Sequence, residues 1–173
     1  VLGLGFGGVG AYGTLLHVVN NALAKGLLFL AVGNVVLATG TSLVAEIRGL
    51  SRALPVSATL LVVGLLAVSG SPPFGSFVSE FTILRSAMAG GHVVLAVVAA
   101  GLIVVIFAGM GRSFLSVFHG QSGATVRADA EDFWLLAGPI ALAGAVLLLG
   151  LYVPGPLGRA LTEAAAALGG TSP

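Results

Sequence analysis

Apolar stretches of about twenty residues or more recur along this chain, and little charge separates them. A helix needs about 20 largely apolar residues to cross the hydrocarbon core of a bilayer. Only 8% of the 173 residues are charged, against about 25% in a soluble domain. Thirteen formal charges, seven basic and six acidic, cannot cover the surface of a soluble globule of this length. That excludes an ordinary cytosolic enzyme and a disordered tail. The net charge of +1 leaves no basic footprint for nucleic acid. The chain has no cysteine, which removes disulfides, thiolate metal sites and thiol catalysis. The pattern predicts an all-α polytopic transmembrane helix bundle.

Four spans and the end of a fifth are expected. Residues 1–9 are too short to cross and read as the tail of an earlier helix, ending at Gly7-Gly8. The spans follow at about 12–38, 54–88, 93–117 and 133–152, and residues 156–168 suit a short interfacial helix. The second span is interrupted by Ser69-Gly70-Ser71-Pro72-Pro73-Phe74-Gly75. Pro72 and Pro73 remove two amide donors and bar the helical conformation before them, so a broken helix of about 54–69 plus 75–88 is predicted. The chain opens inside apolar sequence, which predicts a portion, residues 1–173, of a longer transmembrane domain. The loops after spans 12–38 and 93–117 share one side and hold Arg48, Arg52, Arg112 and Arg127; the opposite side has Arg85 and Arg159. By the positive-inside rule the first side is cytoplasmic.

Two charges stand where the bilayer makes charge expensive. Lys25, the only lysine, sits at the midpoint of its span with thirteen residues on either side, about 19 Å of helix each way. Its stem reaches only about 6 Å, too short to snorkel to the interface. A mid-bilayer lysine costs about 2.5–3.5 kcal/mol on insertion scales, so it is expected to face the bundle interior, a water file or a counter-charge. His17, Asn21 and Lys25 recur at steps of four, a stripe about 12 Å long. A histidine titrates near neutrality and an asparagine can hold a water, so the stripe suits a proton path; the alternative is that both simply bond to neighbouring helices. Glu80 lies on the second half of the broken helix among bulky apolar residues. Broken helices recur where transporters bind ions or pass protons; the plainer alternative for Glu80 is an ion pair with a basic neighbour such as Arg85.

Other features carry less. Gly3-x-Gly5-x-x-Gly8 matches a dinucleotide fingerprint in letters only, because no strand precedes it, and reads as helix packing. His92 and His119 fall at helix ends, and Trp134 and Tyr152 bracket the last span as an aromatic belt. There is no nucleophile with a base at usable spacing, no phosphate loop and no metal-ligand pattern, so neither catalytic residues nor a cofactor are expected in this chain.

The run His17-Val-Val-Asn-Asn-Ala-Leu-Ala-Lys25-Gly-Leu-Leu-Phe-Leu-Ala-Val-Gly33-Asn34 resembles a helix of the antiporter-like proton-translocating subunits of respiratory complex I, Mrp cation/proton antiporters and membrane-bound hydrogenases. The runs Arg48-Gly-Leu-Ser-Arg-Ala-Leu-Pro55 and Ser71-Pro-Pro-Phe-Gly-Ser-Phe-Val-Ser-Glu80-Phe look most like component F of hydrogenase-4 and formate hydrogenlyase. The resemblance covers most of residues 10–118. It implies the last third or so of a subunit of about fourteen transmembrane helices, in a multi-pass inner or plasma membrane protein. Lys25 would be the central relay lysine of the second repeat, His17 a histidine beside it, and Glu80 the terminal relay residue on the broken helix. Many relatives carry a second histidine where this chain has Asn21. The implied function is proton translocation within a hydrogenase or NADH–quinone type oxidoreductase, itself without catalysis. The implied partners are the lipid bilayer, other membrane subunits and, through them, a peripheral redox arm. The alternatives are an Mrp-type cation/proton antiporter subunit and a structural membrane subunit that transports nothing.

Overall fold

The computed structural model describes residues 2–42, 49–118 and 131–168, the side chains of 112–118 excepted. Arg48, Arg127 and His119, and the side chain of Arg112, lie outside the described residues. A 3-10 turn over Leu2–Phe6 precedes α1 (Gly8–Thr39), and a short α2 (Leu50–Ala53) leads into α3 (Pro55–Val68). α4 (Gly75–Ala89), α5 (Val93–Phe118), α6 (Phe133–Leu151) and α7 (Gly155–Ala167) complete the order. Three of these, α1, α5 over Val93–Gly111 and α6, are long and apolar enough to cross a membrane. The chain is a multi-pass, all-α membrane protein.

α1 is the centre of the bundle, packed against α3, α4, α6, α7 and the 3-10 turn. It begins after Gly7, whose φ of 64° breaks the chain direction, and ends at Gly40, a left-handed cap whose amide donates to the Val36 carbonyl at 2.8 Å. That makes it longer than the expected 12–38 at both ends. Its 32 residues amount to about 48 Å of helix, more than the roughly 30 Å bilayer core.

The interruption at Pro72-Pro73, whose peptide bond is cis, separates α3 from α4 as the prolines require. The two halves continue one path antiparallel to α1. α3 packs on the C-terminal half of α1, where Leu27, Ala31, Val35 and Ala38 meet Leu54, Ala58 and Leu61 in one apolar cluster. α4 packs on the N-terminal half. Lipid is as apolar as leucine, so helices in membranes associate through close packing of small residues. The α1–α4 contact obeys this, with Gly10 against Ser86, Gly13 against Thr82 and Ile83, and Asn20 against Gly75.

α6 covers another side of α1. The Asn34 amide donates to the Leu135 carbonyl at 3.0 Å, and Gly26 and Gly138 each admit a leucine from the facing helix. Near its other end Gly150 lies directly on the backbone of Pro73, Phe74 and Gly75. The broken segment therefore lies between α1 and α6, with Ser71 and Phe74 to Ser76 buried and Pro72 and Pro73 exposed. The start of α3 is held by Glu131, which accepts the Ser57 amide proton at 2.7 Å and places a carboxylate at the positive end of the helix. α7 follows the expected amphipathic segment, with Leu161 and Ala165 buried.

Candidate functional site

Along the α1–α4 seam the residues are small and polar: Thr14, His17 and Asn20 on α1 face Ser76, Ser79, Thr82 and Ser86 on α4. Within it a hydrogen-bonded chain joins the two helices. His17 Nδ1 lies 3.0 Å from Ser79 Oγ, His17 Nε2 lies 3.3 Å from Asn21 Nδ2, and Ser79 Oγ lies 2.8 Å from the Ser76 carbonyl. The carbonyl can only accept, so the Ser79 hydroxyl donates to it and must itself accept from His17. This assigns the proton to Nδ1 and leaves Nε2 to accept from the Asn21 amide. Donation therefore runs one way, from Asn21 through His17 and Ser79 to Ser76.

The assignment also says what the resting chain cannot do. Its last acceptor is a peptide carbonyl that passes no proton onward, and Nε2 is occupied by an amide that does not readily give its proton up. A proton crosses only if Asn21 releases Nε2 and Ser79 turns its hydroxyl away from Ser76.

Lys25 falls on an exposed face of α1, with no hydrogen bond or ion pair among the described residues, rather than facing the interior of the bundle as expected. Each step of four residues rotates about 40° around a helix. Two steps from His17 carry the stripe from the α4 seam onto the open face. Glu80 is half-buried on α4, and its carboxylate folds back onto Gly70, whose φ of 71° turns the chain out of α3. The alternative reading, an ion pair with Arg85, is not formed among the described residues. Five residues separate them, about 140° around the helix, and Arg85 is exposed. The structure thus brings His17 and Asn21 together, with Lys25 two turns farther along α1 and Glu80 beside the broken segment held by Pro72 and Pro73.

Asn20, Ser76 and Ser79 were not singled out by the sequence, and all three are buried. The available signal was the run of small polar residues at steps of three and four in α4: Ser76, Ser79, Thr82 and Ser86. At the α1 N-terminal end a groove of about 560 Å³ opens between α1, α4 and α7, lined by Tyr12, Thr82, Arg159, Thr162 and Glu163. Thr82 belongs both to this groove and to the seam. Of the glycines in the discarded fingerprint, Gly3 packs tightly against Gly10 and Thr14, whereas Gly5 has nothing within 4 Å.

A central helix with a polar seam, wrapped antiparallel by a broken helix, has a known counterpart. Residues 1–107 match the family model described as NADH:quinone oxidoreductase/Mrp antiporter, transmembrane. The chain belongs to this family. It is 31% identical over 164 residues to Na(+)/H(+) antiporter subunit A1 of Staphylococcus haemolyticus, covering 87% of this chain and 20% of that protein. A hydrogenase-4 component F homolog of Methylacidiphilum infernorum is 40% identical over 100 residues, 57% of this chain and 21% of that protein. The chain spans about a fifth of the length of these curated relatives. Among solved structures, respiratory complex I from Thermus thermophilus contains a chain with a TM-score of 0.74 and 29% identity, matched over 92% of this chain and 33% of that one. The Mrp complex from Dietzia sp. gives a TM-score of 0.77 at 22% identity, over 95% of this chain and 39% of that one, a likeness of fold.

Proposed function

We propose that this antiporter-like chain carries protons across the cell membrane as part of a larger complex. Protons move through water, His17 and Asn21 between Lys25 and Glu80. The observation that carries the reading is the one-way chain from Asn21 through His17 to Ser79, which crosses from α1 to α4 beside the broken segment. A titratable ring bonded on both nitrogens, at bilayer depth, costs more than a plain packing contact and is suited to exchange. The groove beside α7 gives the seam access to one membrane face. Lys25, exposed here, faces the remainder of the protein, and the partners are other membrane subunits.

Two settings share these residues. In a hydrogenase or NADH–quinone type complex, redox chemistry in a peripheral arm drives the protons; the component F homolog supports that setting. In an Mrp-type antiporter a cation gradient does so; the likeness to Na(+)/H(+) antiporter subunit A1 supports that one. Vesicles containing the complete complex separate them. Proton movement that requires an electron donor places the chain in a redox complex, and sodium uptake without a donor places it in an antiporter. In either case His17→Ala is expected to slow proton movement on the order of 100-fold with the complex still assembled. Movement at the wild-type rate would remove His17 from the path.

A further inference from the structure

Beside the His17–Ser79 chain, the seam holds polar groups that the chain does not use. Asn20 is fully buried, and among the described residues neither its Oδ1 nor its Nδ2 has a hydrogen-bond partner; the same holds for the buried Ser76 Oγ. The Asn20 carboxamide is aimed at Gly75, the first residue of α4, where any side chain would overlap it. The opening amides of a helix have no intrahelical acceptor, and neither Gly75 nor Ser76 donates its amide to a backbone carbonyl among the described residues. Asn20 thus meets the first turn of α4, where the buried Ser76 hydroxyl and these amides also stand without partners, and unsatisfied polar groups in a membrane interior are heavily penalised.

The geometry points to a bound water at the first turn of α4, held by Asn20, Ser76 and the Gly75–Ser76 amides, which bridges the His17–Ser79 chain to Glu80. A buried water needs two to four polar partners of both kinds; Asn20 and Ser76 supply donors and acceptors, and the amides supply donors. An anion would also suit the amides, but the carboxylate of Glu80, folded back on Gly70 beside the same broken segment, opposes one. Ser76 stands one helical turn before Glu80 on the same face of α4 and three residues before Ser79. The site's existence is independent of the relay; its role as a bridge rests on the relay reading above. In that role Ser79 turns from the Ser76 carbonyl to the water. Once Asn21 has released Nε2 and that nitrogen has taken up an incoming proton, the Nδ1 proton of the imidazolium passes to Ser79 Oγ as the hydroxyl proton passes to water, and a water proton passes to the Glu80 carboxylate, leaving His17 neutral.

The test is a density map of the complete complex, at a resolution that shows ordered waters, for the wild type and for Ser76→Ala, with proton translocation measured on both. Density bridging Asn20 and Ser76, lost in Ser76→Ala together with about a tenfold fall in rate, is the expected result. A wild-type map that shows other buried waters but none here overturns the site. So does anomalous signal at that point after exchange into bromide, which would mean an anion. Density that disappears in Ser76→Ala while the rate stays at the wild-type value overturns the bridge and leaves the relay standing. Ser76→Ala removes one hydroxyl only, so the complex is expected to assemble. If His17→Ala also leaves the rate unchanged, the relay itself has failed, whatever the map shows.

Discussion

His17 is the residue on which the account turns, because its two nitrogens are fixed by different helices. Asn21 holds Nε2 from the same helix one turn on, and Ser79 holds Nδ1 from α4. Nitrogen NMR of the labelled protein is expected to report the Nδ1-protonated tautomer. In Ser79→Ala the Nδ1 acceptor is gone, the proton is expected to move to Nε2, and the Asn21 amide to flip to accept it. An unchanged tautomer in that variant would contradict the assignment. The same substitution is expected to cost stability of about 0.6–2 kcal/mol, the range for interhelical hydrogen bonds in membranes. Part of this was legible beforehand. The four-residue spacing of His17, Asn21 and Lys25 follows from helix geometry alone, but which neighbour each residue meets depends on the register of a helix sixty residues away. A stripe that drifts 40° per step does not stay on one interface, and that drift puts Lys25 on an open face.

Among the elements, the broken helix was the most legible, since Pro72-Pro73 leaves an apolar run no other course. Its packing between α1 and α6 was not legible, because it depends on two glycines that meet partners far along the chain. Gly75 makes room for Asn20, and Gly150 on α6 lies against the backbone from Pro73 to Gly75. Replacing either with alanine is expected to overpack the break and destabilise the protein by about 1–3 kcal/mol, seen as a lower unfolding midpoint in detergent. Gly33→Ala, where nothing stands within 4 Å, is the control and is expected to leave the midpoint unchanged or raise it slightly. The capping of α3 by Glu131 was equally hidden, because the pair is separated by seventy-four positions. Glu131→Ala is expected to cost about 0.5–2 kcal/mol through loss of a helix-start acceptor and of the dipole interaction. Loss of no more than a few tenths would mean the contact is incidental.

For the whole molecule, the scarcity of charge gave the membrane, and the order of spans gave the path. The side of the membrane rests on arginine placement, part of which lies outside the described residues. Introduced cysteines are unambiguous within this chain, which has none. In sealed cells Arg159→Cys is expected to react with an impermeant thiol reagent, and Arg52→Cys only after the membrane is opened; the reverse order would invert the topology. Under the proposed function Lys25 is covered within the assembly, so Lys25→Cys is expected to resist the reagent from both sides. The central claim is that the two charges kept at bilayer depth are there to move protons. Proton translocation per electron, or per cation exchanged, in vesicles of the complete complex tests it most directly. Lys25→Ala and Glu80→Gln are each expected to lower that ratio sharply in an assembled complex. If both variants keep the wild-type ratio, the relay does not run through these residues.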